Sequence, residues 1–174
     1  TSVTSSDDAV NVSDGSGSGG MGGGGGNATS GLMLTITGGT LVIDSQGDGL
    51  DSNGSIEMSG GSVVVSGPTN SGNGALDVNG TFEISGGTLL AAGASGMAEA
   101  PETDSAQGWV SATISSAYPA GTVVSIVHSS DKVVATYTAD KAFSSVVFSS
   151  SVITNGETYT IYVGGSASGD TVGP

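Results

Sequence analysis

Apolar residues alternate along three short stretches of the chain, and each time the alternation restarts after a pair of glycines. The stretches are LTITGG (34–39), IEMSGG (56–61) and FEISGG (82–87). Leu34 and Ile36 are followed by Leu41 and Ile43, Ile56 and Met58 by Val63 and Val65, and Phe82 and Ile84 by Leu89. A period of two is the signature of β-strands with one face inward. The second glycines, Gly39, Gly61 and Gly87, lie 22 and then 26 residues apart, a spacing at which a repeat signals stacked units. Stacking puts Leu34, Ile56 and Phe82 in one inward column, and Leu41, Val63 and Leu89 in another. The expected fold is therefore all-β: a right-handed parallel β-helix of about three to four coils, with glycine pairs at one corner. Propeller blades would need four strands and longer units.

A half-coil precedes these repeats, because Asp8-Ala9-Val10-Asn11 parallels Asp48-Gly49-Leu50-Asp51, and Val10, Leu50 and Leu76 fall in phase. The chain is thus expected to begin inside a coil. Thr1, in place of a methionine, fits a cleaved chain or a piece of a longer one. Residues 14–27 form a Gly-rich, low-complexity insertion. After Gly93 the phase changes, which divides the chain into β-helix coils (1–98), an acidic linker (99–108) broken by Pro101, and a β-rich C-terminal cap (109–174). Within the last, residues 122–128 and 132–138 read as a hairpin turning through Ser129, Ser130 and Asp131.

Charge narrows the classes of partner. Sixteen acidic residues face two basic ones, Lys132 and Lys141, for a net charge of −14 over 174 residues, with no arginine. Nucleic acids and anionic membrane surfaces reward clusters of Lys and Arg, so neither is expected, and no apolar run approaches the roughly 18 residues of a membrane span. Glycine fills 32 positions and charged residues only 10%, which leaves little material for amphipathic helices. Cysteine is absent, excluding disulfides and thiolate metal sites.

The polar positions recur with the same phase as the apolar ones. They are Asp7, Asp8 and Asn11, then Asp48, Asp51 and Asn53, then Asp77 and Asn79. Stacking aligns Asn11, Asp51 and Asp77, sets Asp8 beside Asp48, and sets Asn53 beside Asn79. Carboxylates about 4.8 Å apart repel by roughly 3 to 4 kcal/mol at an effective dielectric near 20, and no Lys or Arg lies within the repeats. A bound cation offsets this. Ca²⁺ is the expected cofactor, since it takes six to eight oxygens at about 2.3–2.6 Å, whereas Zn²⁺ would want His or Cys. The competing explanation is that Asp, Asn and Gly are simply turn residues, with asparagine ladders along solvated corners.

GDGLDSNG (47–54), IEMSGG (56–61), Gly67-Pro68, Ala75-Leu76-Asp77 and Gly96-Met97-Ala98 resemble the secreted bacterial carbohydrate-binding domains built as calcium-containing parallel β-helices. The resemblance runs from about Ser6 into the C-terminal strands. It implies a fold like that of pectate lyases, several structural calcium ions, and binding of plant cell-wall polysaccharide without catalysis.

Enzymatic alternatives lack their parts. A β-helical polysaccharide lyase uses a Lys or Arg base that the repeats do not have. Glu57 and Glu83 stack at a separation compatible with a retaining glycosidase pair, yet they sit as solvated strand positions. His128 is far in sequence from any Ser-Asp arrangement. The expected function is a non-catalytic, calcium-stabilised carbohydrate-binding module, extracellular or at the cell surface, for cellulose or an acidic polysaccharide. The aromatic supply for a sugar platform is Trp109, Tyr118, Tyr137, Tyr159 and Tyr162. The alternative, from another class, is a structural subunit of an extracellular fibre that self-associates through the open N-terminal coil.

Overall fold

The computed structural model describes residues 1–15, 27–166 and 172. Among these residues there are thirteen strands and no helix, and hence none long and apolar enough to cross a membrane. The first eight strands are β1 (Ser2–Ser5), β2 (Val10–Val12), β3 (Met33–Ser45), β4 (Leu50–Ser52), β5 (Ser55–Ser66), β6 (Leu76–Val78), β7 (Phe82–Ile84) and β8 (Thr88–Gly93). The last five are β9 (Trp109–Tyr118), β10 (Val123–His128), β11 (Val133–Thr138), β12 (Phe143–Ser149) and β13 (Tyr159–Val163).

The repeats pair in parallel with the register that their phase dictates. Leu34 lies beside Ile56, which lies beside Phe82, and Leu41 beside Val63, which lies beside Leu89. Val10, Leu50 and Leu76 align in the small parallel sheet β2-β4-β6. The glycine pairs do not divide β3 and β5. Each runs through its corner as one bent strand, with the register shifting between Ile36 and Thr40 and Gly61 held at φ 90°. At Gly61 a Cβ would sit 2.9 Å from the Gly38 carbonyl carbon, so the corner needs both the positive φ and the missing side chain.

The chain is not the regular right-handed parallel β-helix that the repeat predicts. Its sheets are mixed. The main sheet, in order β1-β3-β5-β8-β12-β9 with β7 also on β5, starts parallel and ends antiparallel, because β12 pairs antiparallel with both β8 and β9. A third sheet, β11-β10-β13, is wholly antiparallel and includes the hairpin turning at residues 129–131.

The physical reason lies in the outer face of the main sheet. Val63, Val65, Leu89, Ala91 and Val147 point into one core, shared with Leu50 and Leu76 of the small parallel sheet. Their neighbours Val64, Leu90, Ala92, Val146 and Phe148 point the opposite way, into a second core with Val124, Ile126, Ala135 and Tyr137 of the antiparallel sheet. A solenoid coil would leave that second set in water, and burying each such side chain is favourable by about 1.5–3 kcal/mol. Three layers with two cores result.

Candidate metal centre

Strands β2, β4 and β6 carry the acidic column. Asn11, Asp51 and Asp77 are register partners on successive strands; Asp51 and Asp77 are half-buried and Asn11 is exposed. Asp8 and Asp48 sit just before their strands and share a backbone role. The Asp48 N–H donates to Asp8 Oδ1 at 2.8 Å, and the Gly74 N–H donates to Asp48 Oδ1 at 2.6 Å. Each carboxylate thus spends one oxygen holding the next rung in place.

Carboxylate oxygens of Asp8, Asp48 and Asp51 all lie within 4.8 Å of one another. Two ligands on opposite sides of a Ca²⁺ ion, each about 2.4 Å from it, are separated by about that distance. The Asn11 amide bridges two of the three acids, donating to Asp8 Oδ2 at 3.3 Å and to Asp51 Oδ2. The donor set consists of hard oxygens, which suits calcium and not zinc.

The electrostatics record how poorly this cluster tolerates its charge. Burial pushes the Asp51 carboxyl up to about 7, and the charges of Asp77, Asp8 and Asp48 add to the effect. Burial likewise raises Asp48 to about 6; the Gly74 N–H opposes this, while Asp77, Asp8 and Asp7 reinforce it. Asp77 is raised by burial and by Asp8.

The remaining predicted positions divide. Asp77 belongs to the cluster through register and charge. Asp7 is exposed, and its carbonyl accepts the Gly47 N–H at 3.2 Å. Asn53 and Asn79 bond each other, with Asn79 Nδ2 donating to Asn53 Oδ1 at 3.1 Å, as an asparagine ladder along a corner would.

Glu99 is a member that sequence reasoning missed, having placed it in the linker. Its carboxyl is raised first by burial and then by Asp77 and Asp48, against the pull of the Val78 N–H. The signal was its spacing. Glu99 follows Asp77 by 22 residues, the same interval that separates Gly39 from Gly61.

The chain's cationic groups are engaged or placed elsewhere. Lys141 donates to Asp44 Oδ1 at 3.0 Å and to the Ser45 carbonyl, and the N-terminal amine donates to the Thr40 carbonyl. His128 pairs with Glu157 at 3.3 Å, and Lys132 is exposed beside the β10–β11 turn. Glu57 and Glu83 are register partners on β5 and β7, with Glu57 exposed. Comparison with protein-family models, curated proteins and solved structures gives no match.

Proposed function

We propose that this chain is a non-catalytic, calcium-stabilised carbohydrate-binding module that works outside the cell or at its surface. The observation that carries the reading is the convergence of Asp8, Asp48 and Asp51 within 4.8 Å, in a chain whose few cations lie elsewhere. Repulsion of this kind is relieved by a divalent ion that binds the folded state alone, and such an ion raises stability by mass action. Calcium here fixes strands β2, β4 and β6 against one another and so rigidifies the scaffold. Binding of a polysaccharide rests on the sequence resemblance. The test is thermal unfolding in excess calcium and in EDTA. A large calcium-dependent rise in Tm supports the metal assignment, and identical curves overturn it.

A second reading, self-association into an extracellular assembly, draws on a different observation. Strands β1 and β2 end their sheets, and Met33, at the start of β3, is 44% exposed. Free strand edges are templates for pairing. Size in solution with and without chelator separates the two readings: a monomer under both conditions removes the second.

A further inference from the structure

Asparagine is followed by glycine four times, at Asn53, Asn73, Asn79 and Asn155. Asparagine is a thermolabile residue, and a following glycine, having no Cβ, leaves its backbone nitrogen open to the asparagine amide carbon. The structure separates the four pairs. Asn53 donates its own N–H to the Val12 carbonyl at 3.0 Å, and the Gly54 N–H donates to Ser52 Oγ at 3.2 Å. Gly74, which follows Asn73, is buried and donates its N–H to Asp48 Oδ1 at 2.6 Å. Asn79 donates its N–H to the Ser52 carbonyl at 3.0 Å and its side-chain amide to Asn53 Oδ1 at 3.1 Å. Having to break one such bond first is enough to slow a reaction about tenfold.

Asn155 stands apart. It and Gly156 are exposed, in a turn closed by the Glu157 N–H donating to the Thr154 carbonyl at 3.2 Å. Gly156 has φ 86°, as the third residue of a type II turn does. Among the described residues, neither the Gly156 N–H nor the Asn155 side chain makes a hydrogen bond, and an exposed turn of this kind opens locally at little cost. We infer that Asn155 is the folded chain's site of spontaneous deamidation, and that the stacked rungs protect the other three asparagines. The Gly156 nitrogen, giving up its proton, attacks Asn155 Cγ. The new C–N bond closes a succinimide ring, and the side-chain nitrogen leaves as ammonia. Water then adds to one of the two ring carbonyls and opens the ring, to an aspartate or to an isoaspartate whose Cβ now lies in the main chain.

Either product adds a carboxylate to a chain of net charge −14. The new charge lies two residues from Glu157, whose carboxylate meets His128 Nε2 at 3.3 Å. The isoaspartate also lengthens the main chain by one methylene beside Thr154, whose N–H donates to the Tyr159 hydroxyl at 2.9 Å. Asn53, Asn73 and Asn79, where a further carboxylate would add to the repulsion among Asp48, Asp51 and Asp77, are the asparagines that the fold shields.

The two lysines isolate the site. Cleavage after Lys132 and Lys141 leaves Asn155 as the one asparagine of residues 142–174 and puts every other asparagine in residues 1–132. The full chain is held in warm, mildly alkaline buffer, either folded in calcium or unfolded in guanidinium chloride. Samples taken over time are cleaved and read by mass spectrometry, with isoelectric focusing of the intact chain alongside. In the folded chain the 142–174 fragment should gain the mass of one deamidation about tenfold faster than the 1–132 fragment. In denaturant the 1–132 fragment, its three Asn-Gly pairs released, should overtake it. The Asn155→Gln variant, whose longer side chain disfavours the ring, should keep its last fragment unchanged and melt with the wild type. An Asn155 that stays intact in the folded chain overturns the inference, as does deamidation of the 1–132 fragment at an equal or greater rate in the folded chain. A mass gain that persists in the last fragment of the variant overturns the site.

Discussion

Glu99 Oε2 accepts the backbone N–H of Val78 at 2.8 Å. On the earlier rungs, donors that point the same way find backbone acceptors, the Val10 N–H in the Gly49 carbonyl and the Leu50 N–H in the Ala75 carbonyl of the following rung. Beyond β6 the small parallel sheet has no further strand, and a side-chain carboxylate stands where a backbone carbonyl would be. Glu99 therefore finishes the edge of the sheet and adds one more acid to the cluster beneath it.

Replacing Glu99 separates these two roles. Glu99→Ala leaves the Val78 donor without its acceptor and should cost about 1 kcal/mol or somewhat more. Glu99→Gln keeps an acceptor and removes a charge, so the calcium-free protein should hold its stability. Chemical denaturation of both variants in EDTA checks the contrast.

Stability without metal should fall as the pH rises. Asp48 and Asp51 have folded-state values of about 6 and about 7, above the ordinary 3.8. Between those limits the folded chain binds more protons than the unfolded one, so the slope of unfolding free energy with pH is negative. The contribution of these two groups is complete below about pH 4 and is lost as the pH passes through 6 to 7. Melting curves in EDTA from pH 4 to 8 should show the decline, and excess calcium should flatten it.

Asp51→Asn should change sign with the metal. In EDTA above pH 7 the variant sheds repulsion from Asp77, Asp8 and Asp48 and should melt above the wild type. In calcium it lacks a charged ligand and should melt below it. Paired scans give the answer, and a variant that melts below the wild type in both conditions would show that the acid is not under repulsive strain.

Two glycines test the corner. Gly39 and Gly61 share a positive φ, 82° and 90°, but a Cβ at Gly39 meets nothing within 4 Å, while one at Gly61 meets backbone atoms of Gly38 and Gly39 on the preceding rung at 2.9 to 3.0 Å. Gly39→Ala carries conformational strain alone, about 1 kcal/mol. Gly61→Ala carries strain and overlap and should cost clearly more in the same denaturation assay.

Leu90 tests the second core. It is 1% exposed and packs beneath the antiparallel sheet. Leu90→Ala should destabilise the chain by about 2–5 kcal/mol, comparable with the loss expected at Leu89, which faces the first core. A minor effect at Leu90 would contradict the three-layer arrangement.

The parallel registers were legible because side chains inside a stack must match from rung to rung. Leu34, Ile56 and Phe82 announce their column by phase alone. The third layer was not read, although the chain carries a signal for it of a different kind. Alternation accounts for Val63 and Val65 and leaves Val64 over, just as it leaves Leu90 between Leu89 and Ala91; unbroken apolar runs mark strands buried on both faces. Where β12 would pair could not be read, since antiparallel addition at the β8 edge depends on how the chain returns after Gly93. In the acidic cluster, Asp8, Asp48 and Asp51 followed from the repeat, whereas Asn53 and Asn79 share its phase and bond each other instead. Phase fixes which rung a side chain occupies and says little about which neighbour it chooses along that rung.

The glycine corner also limits how such a chain changes length. The loops between corners already differ, with 22 residues between one pair and 26 between the next, so residues are gained or lost there with the columns intact. Inside a strand a single inserted residue would turn every inward side chain outward and move the next glycine out of the narrow space that only it fits. A molecule of this construction lengthens by whole units, each bringing its own glycine pair, its own apolar column members and its own acid.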